Sequence, residues 1–260
     1  MSPNVHLLSF ASSRLGSLRR LGREAVAMGC FSGVTLSTAK DLGDDYLKVC
    51  GGFVQTHPTR GFGFWTWKPY IIYRELSKLT SGDVLLYLDA GCSLNVEGID
   101  RFRTYIDQAV NHPSGWFVFK TNYTMGQYTK RQLLQKYGFD NPAHLELPMF
   151  QASCHFIVAQ ENTIKFAKQW FESMHQRELI DDTFSQNENN EFIAHRHDQS
   201  VFSILAHQYG LKFIEDETYW APNWNAHLDY PIHTRRWKHR IGWPTNWMRR
   251  PWIGSILQKF

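Results

Sequence analysis

GDVLLYLDAGCSLN, residues 82–95, is the stretch on which the reading of the fold turns. Ser81, Gly82 and Asp83 are turn formers, and the apolar run 84–88 that follows is the clearest strand in the chain. It runs directly into Asp89-Ala90-Gly91-Cys92, so a carboxylate closes the strand where an open α/β sheet presents its ligand-binding groups. Asp89 there can ligate a divalent cation or hold a ribose hydroxyl; equally, it can cap the following turn through backbone N–H groups. Gly91 permits a close backbone approach or a positive φ. Cys92 reads as a small packed side chain, because nothing nearby in sequence would activate its thiol.

Outward from this segment, strand and helix signals alternate. VHLLSF (5–10), 31–36, 116–120, 153–159 and 211–215 read as strands. Leu15, Leu18, Leu21 and Ala25 have helical spacing, and Gly29 is a plausible stop. A short helix is expected after Lys40, and others over 68–79, 163–175 and 198–209, with Pro69 tolerated in a first turn. Such alternation predicts an α/β fold with a mostly parallel central sheet flanked by helices. The polar stretch 181–190 (DDTFSQNENN) predicts a mobile loop. The division expected is one domain over 1–218 and a C-terminal extension over 219–260.

Composition narrows the class. In 260 residues, 28 Lys and Arg stand against 24 Asp and Glu, with 43% apolar and 20% charged residues, which excludes a disordered or fibrous chain. A mean hydropathy of −0.41, with no long apolar run, argues against a spanning helix. MSPNVHLLSFASS lacks a basic leader, so no secretory signal is expected. Cys30, Cys50, Cys92 and Cys154 form no C-x-x-C pair and read as reduced thiols. The expectation is a cytoplasmic protein, at most peripheral on the inner face of a membrane.

Three further constellations could carry chemistry. His195-Arg196-His197-Asp198-Gln199-Ser200 precedes an amphipathic stretch, so Asp198 could be a helix cap and nothing more. Two histidines, an arginine, a carboxylate and an amide at a helix start also suit anionic or sugar groups; a zinc site would need more ligands in register. In RGFGFWTWKPY (60–70) the two glycines fail the G-x-G-x-x-G spacing. Its aromatics could form a platform with Lys68 aimed at phosphate, or could be core with Lys68 solvated. Finally, no acidic residue follows Asp229, and the tail interleaves Arg235, Arg236, Lys238, Arg240, Arg249, Arg250 and Lys259 with Trp237, Trp243, Trp247 and Trp252. That mixture suits an anionic membrane surface better than nucleic acid, for which no motif is present; packing of the tryptophans on the domain is the alternative.

LLSFASSRL, RGFGFWTWKPYII, GDVLLYLDAGCSLN, YTKRQLL and EFIAHRHDQSVFSIL, in that order, resemble the blocks of GT-A fold sugar-nucleotide glycosyltransferases of the capsule and O-antigen type. The resemblance implies a GT-A catalytic domain, completed by the extension, that moves a sugar from a nucleotide-diphosphate sugar, UDP-sugars favoured, to a glycan or lipid-linked acceptor. Asp89-Ala90-Gly91 then matches a D-x-D motif whose second carboxylate is replaced by glycine. A divalent cation, Mn²⁺ or Mg²⁺, would be held by Asp89 and His233, or the diphosphate would be neutralised by Lys68 and Arg235. Asp198 and Gln199 resemble the D-Q pair lining the donor-sugar pocket of retaining enzymes, and Gln151 the amide on the neighbouring strand. Ser9, Phe10, Ala11 and Ser12 fall where the family holds base and ribose, with Arg60, Trp67 and Lys68 beside the nucleotide. Trp65, Trp67, Trp220 and Trp224 could stack on sugars or be core. Two other readings stay open: a sugar-phosphate nucleotidyltransferase, for which SFASSRLGSLRR is a poor phosphate loop, and a carbohydrate- or nucleotide-binding module without catalysis.

Overall fold

The protein is described by a computed structural model covering residues 3–13, 15–183, 185–220, 223 and 225–235. Nine strands are present among these: β1 (Val5–Ala11), β2 (Gly33–Thr38), β3 (Val84–Leu88), β4 (Ser93–Leu94), β5 (Trp116–Thr124), β6 (Pro148–Phe150), β7 (Cys154–Val158), β8 (Lys212–Glu215) and β9 (Ile232–His233). The central sheet has seven strands, in the order β2-β1-β3-β7-β5-β6, with β8 also paired to β5. β1 runs parallel to β2 and β3, and β8 parallel to β5. β7 is antiparallel to β3 and β5, and β6 is antiparallel to β5. Five strands therefore point one way and only β6 and β7 oppose them, as the expected mostly parallel sheet requires.

Side-chain alternation divides the core in two. Leu8, Phe10, Leu85, Tyr87, Trp116, Val118 and Ile157 face one side; Leu7, Val84, Leu86, Leu88, Phe117, Phe119 and Phe156 face the other. The first side is covered by the helices Asp44–Thr56, Trp67–Leu76, Glu161–Ser173 and Asp198–Tyr209. The second is covered by Leu15–Met28, through Leu21, Ala25 and Met28, and by Ile99–Val110, through Phe102, Tyr105, Ile106 and Ala109. Both faces are thus buried, which explains why β3 is apolar at every position.

Two peripheral segments are tied to the body of the fold. In the stretch 181–190, expected to be mobile, two described residues are anchored: Asp181 pairs with the buried Lys130 at 3.0 Å, and Glu188 accepts from the backbone N–H of Arg131 at 2.6 Å. The described part of the C-terminal segment is also docked, because β9 pairs antiparallel with β4, Ser93 opposite His233. Asn95 Nδ2 donates to the carbonyls of Leu228 and Tyr230. Gly98 makes the close approach possible, since a Cβ there would stand 2.4 Å from the Pro231 nitrogen. Trp224 and the basic, Trp-rich run 236–260 lie outside the described residues.

Candidate functional site

The C-terminal end of β3 delivers Asp89, and the gap between β6 and β7 delivers residues 151–153 beside it; the backbone N–H of Asp89 donates to the Ser153 carbonyl at 2.9 Å. The start of helix Asp198–Tyr209 delivers Asp198 and Gln199. These elements meet around Lys68, from the first turn of helix Trp67–Leu76. Its Nζ lies 2.8 Å from Asp198 Oδ2 and 3.2 Å from Asp89 Oδ1, and donates to the Ala152 carbonyl at 2.9 Å. Lys68 is 2% exposed. It is therefore not solvated, which sets aside the reading of these aromatics as core with Lys68 left in water. It is the buried cation that holds two carboxylates from separate elements together.

The two carboxylates are in different states of exposure. Asp198 is buried, and its side chain is 7% accessible against 34% for Asp89. Burial pushes the Asp198 carboxyl up to about 6, against the opposing pull of Lys68. Asp89 accepts a 2.6 Å hydrogen bond from Tyr87 on Oδ1, leaving its second oxygen without a partner among the described residues. A partly exposed strand-end carboxylate thus sits beside a buried one whose pKa is raised to about 6.

Amide side chains continue the site. Gln199 Nε2 donates to the Phe150 carbonyl at 2.8 Å, at the end of β6. Gln151 Nε2 donates to Asp216 Oδ2 at 2.6 Å, and its oxygen accepts from Ser153 at 3.0 Å. Asp216 was not singled out from sequence. It follows β8 as Asp89 follows β3, so the same strand-end reasoning would have found it. Burial raises its carboxyl pKa, opposed by bonds from Gln151 and Thr218.

Backbone strain concentrates at one wall. Gly61, Phe62, Gly63, Phe64 and Trp65 all have positive φ, between 52° and 82°, forming a left-handed turn closed by bonds such as Phe64 N–H to the Arg60 carbonyl at 2.8 Å. For Phe and Trp this conformation costs about 1–2 kcal/mol each. Gly61 is required twice, by its φ and because a Cβ would meet the Trp65 ring at 2.2 Å. The turn stacks Trp65 on His197 (5.3 Å), and His197, itself at φ 47°, immediately precedes Asp198. Arg60 is turned to the exposed Asp182, bonding it twice at 2.8 Å.

The end of β1 is partly core. Phe10 stacks on Trp67 with centroids 4.0 Å apart, and both are buried, so these rings pack on each other. Ser9 is fully buried with its hydroxyl unpartnered, Ala11 is buried and Ser12 exposed. The loop Asp89–Cys92 is held from below by Arg20, which donates to the carbonyls of Ala90 (3.2 Å) and Cys92 (2.8 Å), and pairs with Glu24 at 2.9 Å. Glu24 in turn accepts from Leu94 N–H at 2.9 Å, and Arg235 comes close enough to interact with both Glu24 and Arg20. Arg20→Met should therefore lower stability by about 2–3 kcal/mol in urea unfolding, since it strips two carbonyls and strands a buried carboxylate. A loss below about 0.5 kcal/mol would show that the loop holds itself.

For a divalent cation the donors among the described residues do not by themselves make a ligand set. Asp89 Oδ1 already faces Tyr87 and Lys68, Gly91 brings no carboxylate, and His233 turns Nε2 to the Tyr230 carbonyl at 3.1 Å. Burial and Arg235 lower the His233 pKa to about 4, so its ring is neutral. Among the described residues no three His, Cys, Asp or Glu side chains converge on a point that could hold a metal ion. No helix of the described residues is long and apolar enough to cross a membrane.

No protein-family profile matches this sequence, and no curated protein matches it. Solved structures do resemble it in backbone course. One is a glycosyltransferase involved in glycosylation of the major capsid of PBCV-1, at 9% identity and TM-score 0.46, covering 89% of this chain and 92% of that one. Mouse xyloside xylosyltransferase 1 in its apo form is similar at 11% identity and TM-score 0.47, covering 93% of this chain and 100% of that one. The galactosyltransferase LgtC, in complex with donor and acceptor sugar analogues, is similar at 11% identity and TM-score 0.45, covering 89% and 86%.

Proposed function

We propose that the chain is a glycosyltransferase of GT-A type, moving a sugar from a nucleotide-diphosphate sugar, UDP-linked by preference, to a glycan or lipid-linked acceptor. The observation that carries this reading is the Lys68 clamp. It sets an open carboxylate, Asp89, and a buried one, Asp198, side by side at the strand ends, with Gln199 following Asp198 in the helix. In glycosyl transfer the anomeric C–O bond breaks with its electron pair leaving on the diphosphate. The acceptor oxygen then forms the new bond and gives up its proton. A carboxylate whose pKa lies near 6 can steady the positive charge at the anomeric carbon or take that proton. The resemblance of Asp198-Gln199 to the D-Q pair of retaining enzymes supports retention of configuration.

Asp89, partly exposed and with its second oxygen unpartnered among the described residues, is in this reading the group for a ribose hydroxyl, or for a Mn²⁺ or Mg²⁺ whose remaining ligands the diphosphate would supply. Arg235, which interacts with Glu24 and Arg20 behind the Asp89–Cys92 loop, is in this reading a further cation for the diphosphate. UDP, offered beside GDP, CMP and dTDP with and without Mn²⁺, should raise the melting temperature of the chain, because a ligand bound only to the folded state stabilises it by mass action. A shift with no nucleotide under either condition would turn the reading toward a carbohydrate-binding module. Synthesis of a nucleotide-sugar from a sugar phosphate and a nucleoside triphosphate would turn it toward a nucleotidyltransferase.

A further inference from the structure

The site holds a second cation that the Lys68 clamp does not use. Arg196 lies immediately before the His197-Asp198 step, and its backbone N–H is fixed by the Tyr128 carbonyl at 3.2 Å and Ser200 Oγ at 3.1 Å. Its guanidinium is held over two rings, 4.1 Å from the Tyr123 centroid and 4.5 Å from that of Tyr128. The two rings lie 4.6 Å apart. Nη1 reaches Gln199 Oε1 at 3.4 Å, while Nε is buried and unpartnered.

No carboxylate among the described residues pairs with Arg196, whereas Arg20, Arg60, Arg101 and Arg131 each bind one. Aromatic faces orient a guanidinium without neutralising it, and its edge remains available for hydrogen bonding. A planar donor fork left in this state matches the two oxygens of a carboxylate or phosphate. Gln199, which Arg196 touches, is the amide that follows the Asp198 carboxylate.

We propose that Arg196, cradled by Tyr123 and Tyr128, binds an anionic group, carboxylate or phosphate, of a sugar substrate. This rests on the transferase reading only for calling the ligand a substrate. The chain would then be selective for acidic sugars, with Arg196 as the residue that sets the preference. Asp198 keeps its charge pairing with Lys68, so the two cations have separate tasks.

Ligand-observed NMR titration of the full chain tests this with methyl glucuronide, methyl glucoside and glucose 1-phosphate as acceptor-side probes. UDP-glucuronate and UDP-glucose serve as donor-side probes. The acidic member of at least one set should bind about 10-fold or more tightly than its neutral partner, as one charge-assisted contact implies. Preference among the methyl glycosides would place the anion on the acceptor, and preference among the nucleotide-sugars would place it on the donor. R196Q should erase the preference, and R196K, which keeps charge but loses the fork, should retain part of it. Equal binding of acidic and neutral probes by the natural chain, or a preference that survives R196Q, overturns the proposal. Acidic-sugar binding through Arg196 in a chain that binds no nucleoside diphosphate would sink the transferase reading and leave this one standing. Nucleotide binding without charge preference would do the reverse.

Discussion

Asp198→Asn should abolish sugar transfer while leaving the protein as stable as before, or more so. The loss expected in kcat/KM is about 10³-fold, the range over which a positioned acid–base or charge-stabilising group acts. The stability half follows from burial. Asp198 is 5% exposed, and burial raises its carboxyl from the ordinary 3.8 to about 6. A group with its pKa raised in the folded state binds its proton more tightly there than in the unfolded chain. Between about pH 4 and pH 6, therefore, folding stability falls as pH rises, by about 3 kcal/mol, and stays lower above that.

Asparagine carries no charge to desolvate and can still accept from Lys68, so the variant escapes this loss. Urea unfolding at pH 8 should show D198N no less stable than the natural chain, with the difference shrinking toward pH 4. Activity of the natural chain should fall as pH drops through about 6 if the ionised form is the working one. A variant that unfolds, yet transfers normally in the part that remains folded, would mark Asp198 as a cap of helix Asp198–Tyr209 and remove it from the chemistry.

The candidate site was legible from sequence where a local signal coincided with a chain end of an element. Asp89 stands at the close of an apolar run, and Asp198-Gln199 at the opening of a helix, so both were visible without tertiary information. Lys68 was visible as a cation but not in its role. Which way a long side chain runs from a helix start depends on how that helix packs, and Lys68 points inward because Trp67 stacks on Phe10 while Lys68 approaches the Tyr87 ring at 5.6 Å. The β4–β9 pair, two residues long in each strand, has no periodicity to read, although it docks the chain from 228 to 234 against the Asp89 loop. Helix Ile99–Val110 is a plainer omission, since Phe102, Tyr105, Ile106 and Ala109 repeat at helical spacing. The glycines of RGFGFW, which fail the dinucleotide spacing, lie in a left-handed turn. Their use is conformational, because only Gly61 tolerates both its left-handed φ and the Trp65 ring lying against it.

The largest stability effect should come from Lys68→Met. Methionine keeps the bulk of the stem and removes the ammonium that Asp89, Asp198 and the Ala152 carbonyl share. Breaking one side of a buried ion pair costs about 3–5 kcal/mol, because the remaining charge stays desolvated. The chain has one escape, which is to protonate Asp198. Lys68 is what holds that carboxyl down against burial, so in K68M its pKa should climb above the present value of about 6. The penalty should then depend on pH in a definite sense: largest at pH 8, where Asp198 must either ionise unpaired or take up a proton at a cost, and smaller at pH 5. Combining the two substitutions gives the sharper measurement. With Asp198→Asn in place no buried charge is stranded, and K68M/D198N should recover a substantial part of the K68M loss, a coupling of about 1–3 kcal/mol in a double-mutant cycle. Additive losses, with no dependence on pH, would mean that Lys68 supports the fold through its packing beside Trp67 and Tyr87. The clamp between the two carboxylates, and the functional reading built on it, would then fall together.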